Sequence, residues 1–264
     1  MARHSRPVRP ARQEFLRAEV LRSQRVSPTF QRVTIGGEDL RRFAPMGFDQ
    51  WFRLFLPGPG QHEITLPGRT DLLGYARYRA MPPRIRPVMR NYSVRAFRPE
   101  VAELDIDFVR HQGGYACSWA DKAQPGEPVA ILDQGIGYSA PAHVAWTLLA
   151  ADETGLPAIA GILASLPAAT RGLVLLEVPD RSDIAPLLAP EGMEVRWHFR
   201  TPDEAAGRPT LTTVRLAELP DQAGYAFVVG EAAMVASVRR HLVHDRAMPK
   251  ADVAFCGYWR HPTT

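Results

Sequence analysis

The chain has 264 residues, 45% of them hydrophobic and 23% charged, enough apolar content to bury the cores of two modest domains. Its formal net charge is +4, with much of the excess in the first dozen residues, where Arg3, Arg6, Arg9 and Arg12 alternate with proline and small residues; beyond them the signs are mixed, which argues against nucleic-acid binding. No apolar run has the length of a membrane span or a secretory signal, and Cys117 and Cys256 form neither a CxxC nor a Cys/His cluster, so the expectation is a cytoplasmic protein with no membrane insertion, disulfide framework or bound metal.

Residues 1–14 read as a flexible basic tail. From Phe15 to about residue 140 the signals are short extended runs broken by glycine and proline: "FLRAEVLRSQRV", "TFQRVTI", "WFRLFLP", "NYSVRAF", "ELDIDFVR" and "EPVAIL". In "ELDIDFVR", Leu104, Ile106 and Phe108 alternate with Asp105, Asp107 and Val109, the period of a half-buried strand. An antiparallel β-barrel over 15–140 is the expected solution, because closure removes exposed edges. "YACSWADKA" reads as one interrupting helix, and Pro57 to Pro87 reads as loop, with prolines at 57, 59, 67, 82, 83 and 87 and more arginine than acid.

From 141 to 264 the grammar is strand then helix, implying an α/β domain with a parallel sheet covered on both faces. The strands are "AWTLLAAD", "GLVLLEV", "MEVRWHF", "YAFVVG" and "ADVAFCGYW"; the helices are "GLPAIAGILASL", "SDIAPLLA", one near "TTVRLAEL" and "EAAMVASVRRHLVHDR". In the last helix Met234, Val235, Val238, Leu242 and Val243 fall on one stripe, Glu231 lies in the first turn, and basic residues gather toward the end. Ligands of such sheets sit beyond the carboxyl ends of the strands, so the candidate turns are "ADET", "EVPDRSD" and "VGEA". None is a GxGxxG; the G-x-G at Gly135 to Gly137 follows a barrel strand and lacks the third glycine.

In "MRNYSVR", Arg90, Tyr92 and Val94 share one face of an extended segment, and Asn91, Ser93 and Arg95 the other. A barrel followed by an α/β domain is the layout of flavin reductases, and "RNYS" is similar to their Arg-x-Tyr-Ser/Thr signature. More narrowly, "MRNYSVR", "ELDIDFVRH", "ACSWADKAQPGE", "LLAADETGLPAIAGIL", "LLEVPDRSD" and "VVGEAAMVASVRRHLV" with "GYWR" resemble the siderophore-interacting proteins, FAD-dependent ferric-siderophore reductases of bacteria. The resemblance runs in order from about Phe15 to Arg260.

It implies a barrel that binds FAD, an α/β domain that binds NAD(P)H as co-substrate, and a ferric siderophore as the electron acceptor. Arg90 would pair with the FAD pyrophosphate, Tyr92 would lie against the isoalloxazine, and Ser93 would stand near the flavin N5, which makes Tyr92 and Ser93 the residues nearest the chemistry. Ala116, Cys117 and Ser118 would offer backbone amides to the pyrophosphate, with His111 close to the flavin or adenine. Asp152, Glu153, Thr154, Gly230 and Glu231 would line the nicotinamide-nucleotide site, and Glu177 would favour a free ribose hydroxyl. Arg181 and Arg200 lie close enough in sequence to keep NADPH open beside NADH. Arg53 and Arg260 match basic substrate-binding positions of the family.

Two positions depart from the family pattern. Cys117 stands where serine or threonine is usual, and Gln134 where an arginine is common, which implies a substrate less anionic than is typical. Two other functions remain open: a flavin reductase serving a different acceptor, including one fed by ferredoxin, and a non-catalytic binder of iron chelates. A monomer or weak dimer is expected.

Overall fold

The computed structural model describes residues 7–111, 113–201 and 203–261. Two compact units result. One comprises Arg9–Met46 and Gln50–Gly135; the other runs from Ile136 to the last described residue and takes in residues 7–8 and Gly47–Asp49. Arg3 and Arg6 of the expected tail lie outside the described residues, whereas Val8 exchanges two backbone hydrogen bonds with Ile136, at 2.9 and 3.0 Å.

The first unit is built on seven strands: β1 (Phe15–Arg25), β2 (Phe30–Gly36), β3 (Trp51–Leu56), β4 (Val88–Ser93), β5 (Ala96–Arg98), β6 (Glu103–Val109) and β7 (Pro128–Gly135). They form one antiparallel sheet in the order β4-β3-β7-β1-β2-β6-β5. The two edge strands are consecutive in the chain. Val94 and Arg95 join them, the Val94 amide donating to the Gln50 carbonyl at 2.8 Å and the Arg95 amide to the Asp105 carbonyl at 3.0 Å. One extended segment thus leaves β3 and joins β6, which rolls the sheet into a barrel and covers the edges that would otherwise template aggregation. The alternation expected for β6 holds: Leu104, Ile106 and Phe108 are fully buried and pack with Phe52, Leu54 and Ile131.

The segment from Pro57 to Pro87 is not all loop. It contains α1 (Leu72–Ala80), capped by the Asp71 carboxylate, which accepts from the Gly74 amide at 3.0 Å. The helix escaped sequence analysis because it has no apolar stripe: only Gly74 is buried and Tyr78 half-buried. Gly74 sits so close to the chain that a Cβ there would lie 1.9 Å from the Arg69 carbonyl oxygen. Tyr78 meets Phe55 edge-on at 6.1 Å and donates its hydroxyl to the Pro87 carbonyl at 3.0 Å, which fastens the helix to the outer face of β3. The expected interrupting helix is present as α2 (Tyr115–Ala120).

The second unit holds five parallel strands, β8 (Trp146–Ala151), β9 (Gly172–Val178), β10 (Met193–Phe199), β11 (Gly224–Glu231) and β12 (Val253–Trp259), ordered β10-β9-β8-β11-β12. Strand order reverses at β8 and β11, the two strands buried along their whole length. Helices α3 (Leu156–Ser165), α4 (Arg208–Leu216) and α5 (Ala232–Arg240) cover the sheet. On α5 the expected stripe is buried at Met234, Val235, Val238 and Leu242, and a wide π turn over His241–Asp245 continues the helix. The helix expected at "SDIAPLLA" does not form. Pro186 has no amide to donate, collides with the carbonyl one turn back and drives Ala185 out of the helical region, so only a single 3-10 turn survives at Arg181–Asp183. The helix expected near "TTVRLAEL" begins earlier, after Gly207 at φ 82°, with proline in its first turn.

Candidate functional site

On the barrel, the register of β3 against β4 sorts the "RNYS" side chains by face. Phe52 lies opposite Tyr92 and Leu54 opposite Arg90, while Trp51 faces Ser93 and Arg53 faces Asn91. Because Phe52 and Leu54 are fully buried, Tyr92 and Arg90 belong to the inward side. The Tyr92 ring packs 4.4 Å from that of Phe108, which in turn lies 5.9 Å from Trp119 of α2. Burial raises the pKa of the Tyr92 phenol well above its ordinary value, so it stays neutral and presents an apolar wall.

Arg90 is exposed at the strand edge. Its guanidinium donates one hydrogen bond, to the Met89 carbonyl at 2.9 Å, and no ion pair to it occurs among the described residues. Its neighbours differ. Asp107 pairs with Arg95 at 3.3 Å and accepts two bonds from Arg32, at 2.7 and 2.9 Å; Arg98 grips Asp105 and Glu103. Of the two arginines in "MRNYSVR", only Arg90 keeps a fork of donors for an external anion.

The turn before α2 brings backbone toward the same strand. Gly113 has φ 83°, and a Cβ on Gly114 would strike the His111 ring at 2.3 Å. The His111 amide donates to the Cys117 sulfur at 3.4 Å, and the Tyr115 hydroxyl to the Pro57 carbonyl at 2.6 Å. The Ser118 amide is spent on the Gly114 carbonyl at 3.0 Å, whereas the amides of Ala116 and Cys117 have no acceptor among the described residues. Gln134 folds back on its own strand, donating to the carbonyls of Leu132 and Asp133. On the outer face of β3, Arg53 lies 5.7 Å from the ring centre of Tyr75. These features fit a flavin dinucleotide: an uncommitted guanidinium, a dry aromatic wall, and glycines that let a diphosphate approach free amides.

In the second unit, the carboxyl ends of the strands hold a cluster of buried acids. Asp152, at the end of β8, has no exposure; it accepts from the Thr154 amide at 2.9 Å, the Thr154 hydroxyl, the Glu231 amide at 2.6 Å and the Trp259 indole at 2.8 Å. One carboxylate therefore clasps the ends of β8, β11 and β12. Burial, with the charge of Glu153 added, pushes its pKa up to about 6. Gly230 is glycine for the same reason, since a Cβ there would lie 2.6 Å from the Asp152 carboxylate at φ 131°. Glu231 caps α5, accepting from the amides of Ala233 and Met234 at 2.6 and 2.9 Å.

Glu153 and Glu177 share Arg200, whose guanidinium donates to both at 2.8 Å. Glu177, fully buried, also accepts from the amide of Gly207 at 2.7 Å and the hydroxyl of Thr210 at 2.9 Å, so it caps α4. The structure thus directs Asp152, Glu153, Thr154 and Glu177 toward one another. Glu177 has no oxygen left for a ribose, and Arg200 is held by two acids. Arg181 remains outside this network, its guanidinium 4.4 Å from the ring centre of Phe199. Arg260 stands at a cavity of about 450 Å³ between α5 and β12, lined also by Ala232, Val235, Phe255 and Trp259. Sequence analysis missed the Arg200 bridge and the Asp152–Trp259 bond. An arginine ending the third strand beside a glutamate ending the second is the one signal that could have shown the former.

Comparison with known proteins matches residues 19–136 to the siderophore-interacting FAD-binding domain and residues 144–262 to the siderophore-interacting protein domain. Ferric vibriobactin reductase ViuB of Vibrio cholerae is 32% identical over 247 residues, covering 92% of this chain and 88% of that protein. The NADPH-dependent ferric-chelate reductase of Escherichia coli is 30% identical, covering 93% and 92%. The crystal structure of the siderophore-interacting protein SipS from Aeromonas hydrophila superposes with a TM-score of 0.74 at 31% identity, covering 94% of this chain and 99% of that one. With relatives this similar along nearly its whole length, the chain belongs to the siderophore-interacting protein family.

Proposed function

We propose that the protein is an FAD-dependent reductase that moves electrons from NAD(P)H to ferric siderophores and so releases iron as Fe(II). The observation that supports this most is Arg90: an arginine with no acid partner among the described residues, set on the same face as a half-buried tyrosine, in a chain so similar to a ferric vibriobactin reductase and an NADPH-dependent ferric-chelate reductase. Bound FAD supplies the conversion of a two-electron donor to a one-electron acceptor. The chain contributes placement. Arg90 and the amides of Ala116 and Cys117 neutralise and seat the diphosphate, Tyr92 keeps water from the ring, and Ser93 offers a hydroxyl on the opposite face of β4.

The nicotinamide nucleotide sits beyond the strand ends of the second unit, where Gly230 allows close approach and the Asp152 clasp fixes Trp259 and Glu231 in place. Thr154 is spent on that clasp and Glu153 on Arg200, so neither grips phosphate. Arg53 and Arg260 provide positive charge for the chelate, and the iron is substrate, held by its own ligands; Fe(II) binds hard oxygen donors less tightly than Fe(III), so reduction loosens it. Both NADPH and released Fe(II) belong to a reducing compartment, which assigns the protein to the cytoplasm. A second reading, with reduced ferredoxin as the donor, is favoured by one feature: the "ADET" turn closes on itself and leaves few phosphate contacts at β8.

The test is reconstitution with FAD and measurement of Fe(II) capture by a ferrous chelator from a ferric siderophore, with NADPH, NADH or reduced ferredoxin as donor. Donor-dependent Fe(II) production supports the proposal. A protein that retains no FAD, or that produces no Fe(II) with any donor, overturns it.

A further inference from the structure

The outward side of α1 and the turn after it have chemistry that electron transfer to a chelate does not use. Leu72 is 87% exposed and Leu73 62%, while Tyr75 and Ile85 are each 40% exposed. The cause is local: Tyr78 fastens α1 to the barrel and Gly74 packs against the loop at Arg69, which turns the two leucines of the first turn into solvent. The stretch from 69 to 86 that carries them holds Arg69, Arg77, Arg79, Arg84 and Arg86 against a single acid, Asp71, which is already paired with Arg69. Arg86 donates to the Arg79 carbonyl at 3.3 Å, and Arg77, Arg79 and Arg84 pair with no carboxylate among the described residues.

We propose that this face of α1 docks on an anionic lipid surface, with Leu72 and Leu73 entering the headgroup region and Arg77, Arg79 and Arg84 meeting the lipid phosphates. The combination decides between partners. An acidic protein would satisfy the arginines and gain little from two adjacent leucines protruding at the end of a helix, whereas the boundary of a bilayer accepts both kinds of side chain at once. No described helix is long and apolar enough to cross a membrane, so α1 lies at the surface as an interfacial element.

The experiment is flotation of the full-length, FAD-loaded protein with vesicles of about 30 mol% phosphatidylglycerol in phosphatidylcholine, and with phosphatidylcholine alone, at ~0.1 M salt. Binding to the anionic vesicles is expected to exceed binding to the neutral ones by at least about ten-fold. Arg77→Gln with Arg79→Gln lowers it by about 30-fold, the product of two factors equivalent to ~1 kcal/mol per basic residue. Leu72→Ser with Leu73→Ser lowers it by about ten-fold or more, from the lost apolar burial. All variants keep their flavin absorbance and their rate with a soluble ferric chelate; Leu72→Ser alone serves if a double variant loses FAD. Failure to float, equal binding to both vesicle types, or loss of binding in the arginine variant with none in the leucine variant would overturn the proposal, the last outcome reducing the contact to electrostatic adsorption without entry of the leucines.

Discussion

Replacing Arg90 with alanine tests the flavin site at its least ambiguous residue. In the protein alone the guanidinium makes one hydrogen bond, to the carbonyl of the preceding residue, and pairs with no carboxylate among the described residues, so its removal strands no buried charge. The apoprotein should therefore change in stability by less than about 0.5 kcal/mol. A guanidinium-phosphate contact contributes ~1.5–3 kcal/mol, so the Kd for FAD should rise roughly ten- to hundred-fold. Arg95→Ala is the matched control five positions on. Arg95 pairs with Asp107, which also holds Arg32, so this variant should lose about 0.5–1 kcal/mol of stability and keep its FAD affinity. Titration of each apoprotein with FAD, followed by flavin fluorescence, gives the Kd; chemical melts of the same samples give the stability. An Arg90→Ala apoprotein that melts early but binds FAD normally, with Arg95→Ala showing the reverse, would refute the assignment.

Asp152→Asn presents an amide to donors that a carboxylate had accepted, so it should cost about 2–4 kcal/mol in melts and shift the fluorescence of Trp259. Asp152 has a folded pKa raised to about 6 from the ordinary 3.8, so it holds a proton that the unfolded chain releases; the stability it contributes is present below pH ~4 and fades as pH rises toward 6, a slope the variant should lack. Glu177→Gln should destabilise by about 3 kcal/mol, because it breaks the α4 cap and one bond of Arg200, with the KM for the nucleotide unchanged; a KM effect without a stability loss would instead make Glu177 a ribose ligand. Arg181→Ala should raise the KM for NADPH about ten-fold while leaving that for NADH alone, if this arginine meets the 2′-phosphate at the end of the second strand; equal effects on both would exclude that role.

How much of this was legible in the sequence follows from the range of the interactions. The alternation of Leu104, Ile106 and Phe108 and the stripe on α5 are local patterns imposed by one buried face, and both appear as expected. Helix α1 was invisible because it buries almost nothing, and "SDIAPLLA" misled because its apolar residues have helical spacing around a proline that forbids the helix. At the site, the family motifs gave the residues but not their commitments. Arg90 and Arg95 look alike in the sequence; only pairing with β6 shows that one is held by Asp107. The bonds of Asp152 reach across 79 and 107 positions to Glu231 and Trp259, and no local pattern encodes them. The acids of "ADET" and "LLEV" read as ligand contacts because they end strands, yet parallel strand ends converge, and these carboxylates serve the convergence.

The most direct measurement of the central claim is anaerobic stopped-flow of the FAD-loaded protein, first with a nicotinamide nucleotide and then with a ferric siderophore. The account predicts that NADPH or NADH bleaches the flavin absorbance and that the ferric siderophore restores it while Fe(II) appears, at two irons per flavin. A flavin that is bleached by the nucleotide but never reoxidised by any ferric siderophore would contradict it.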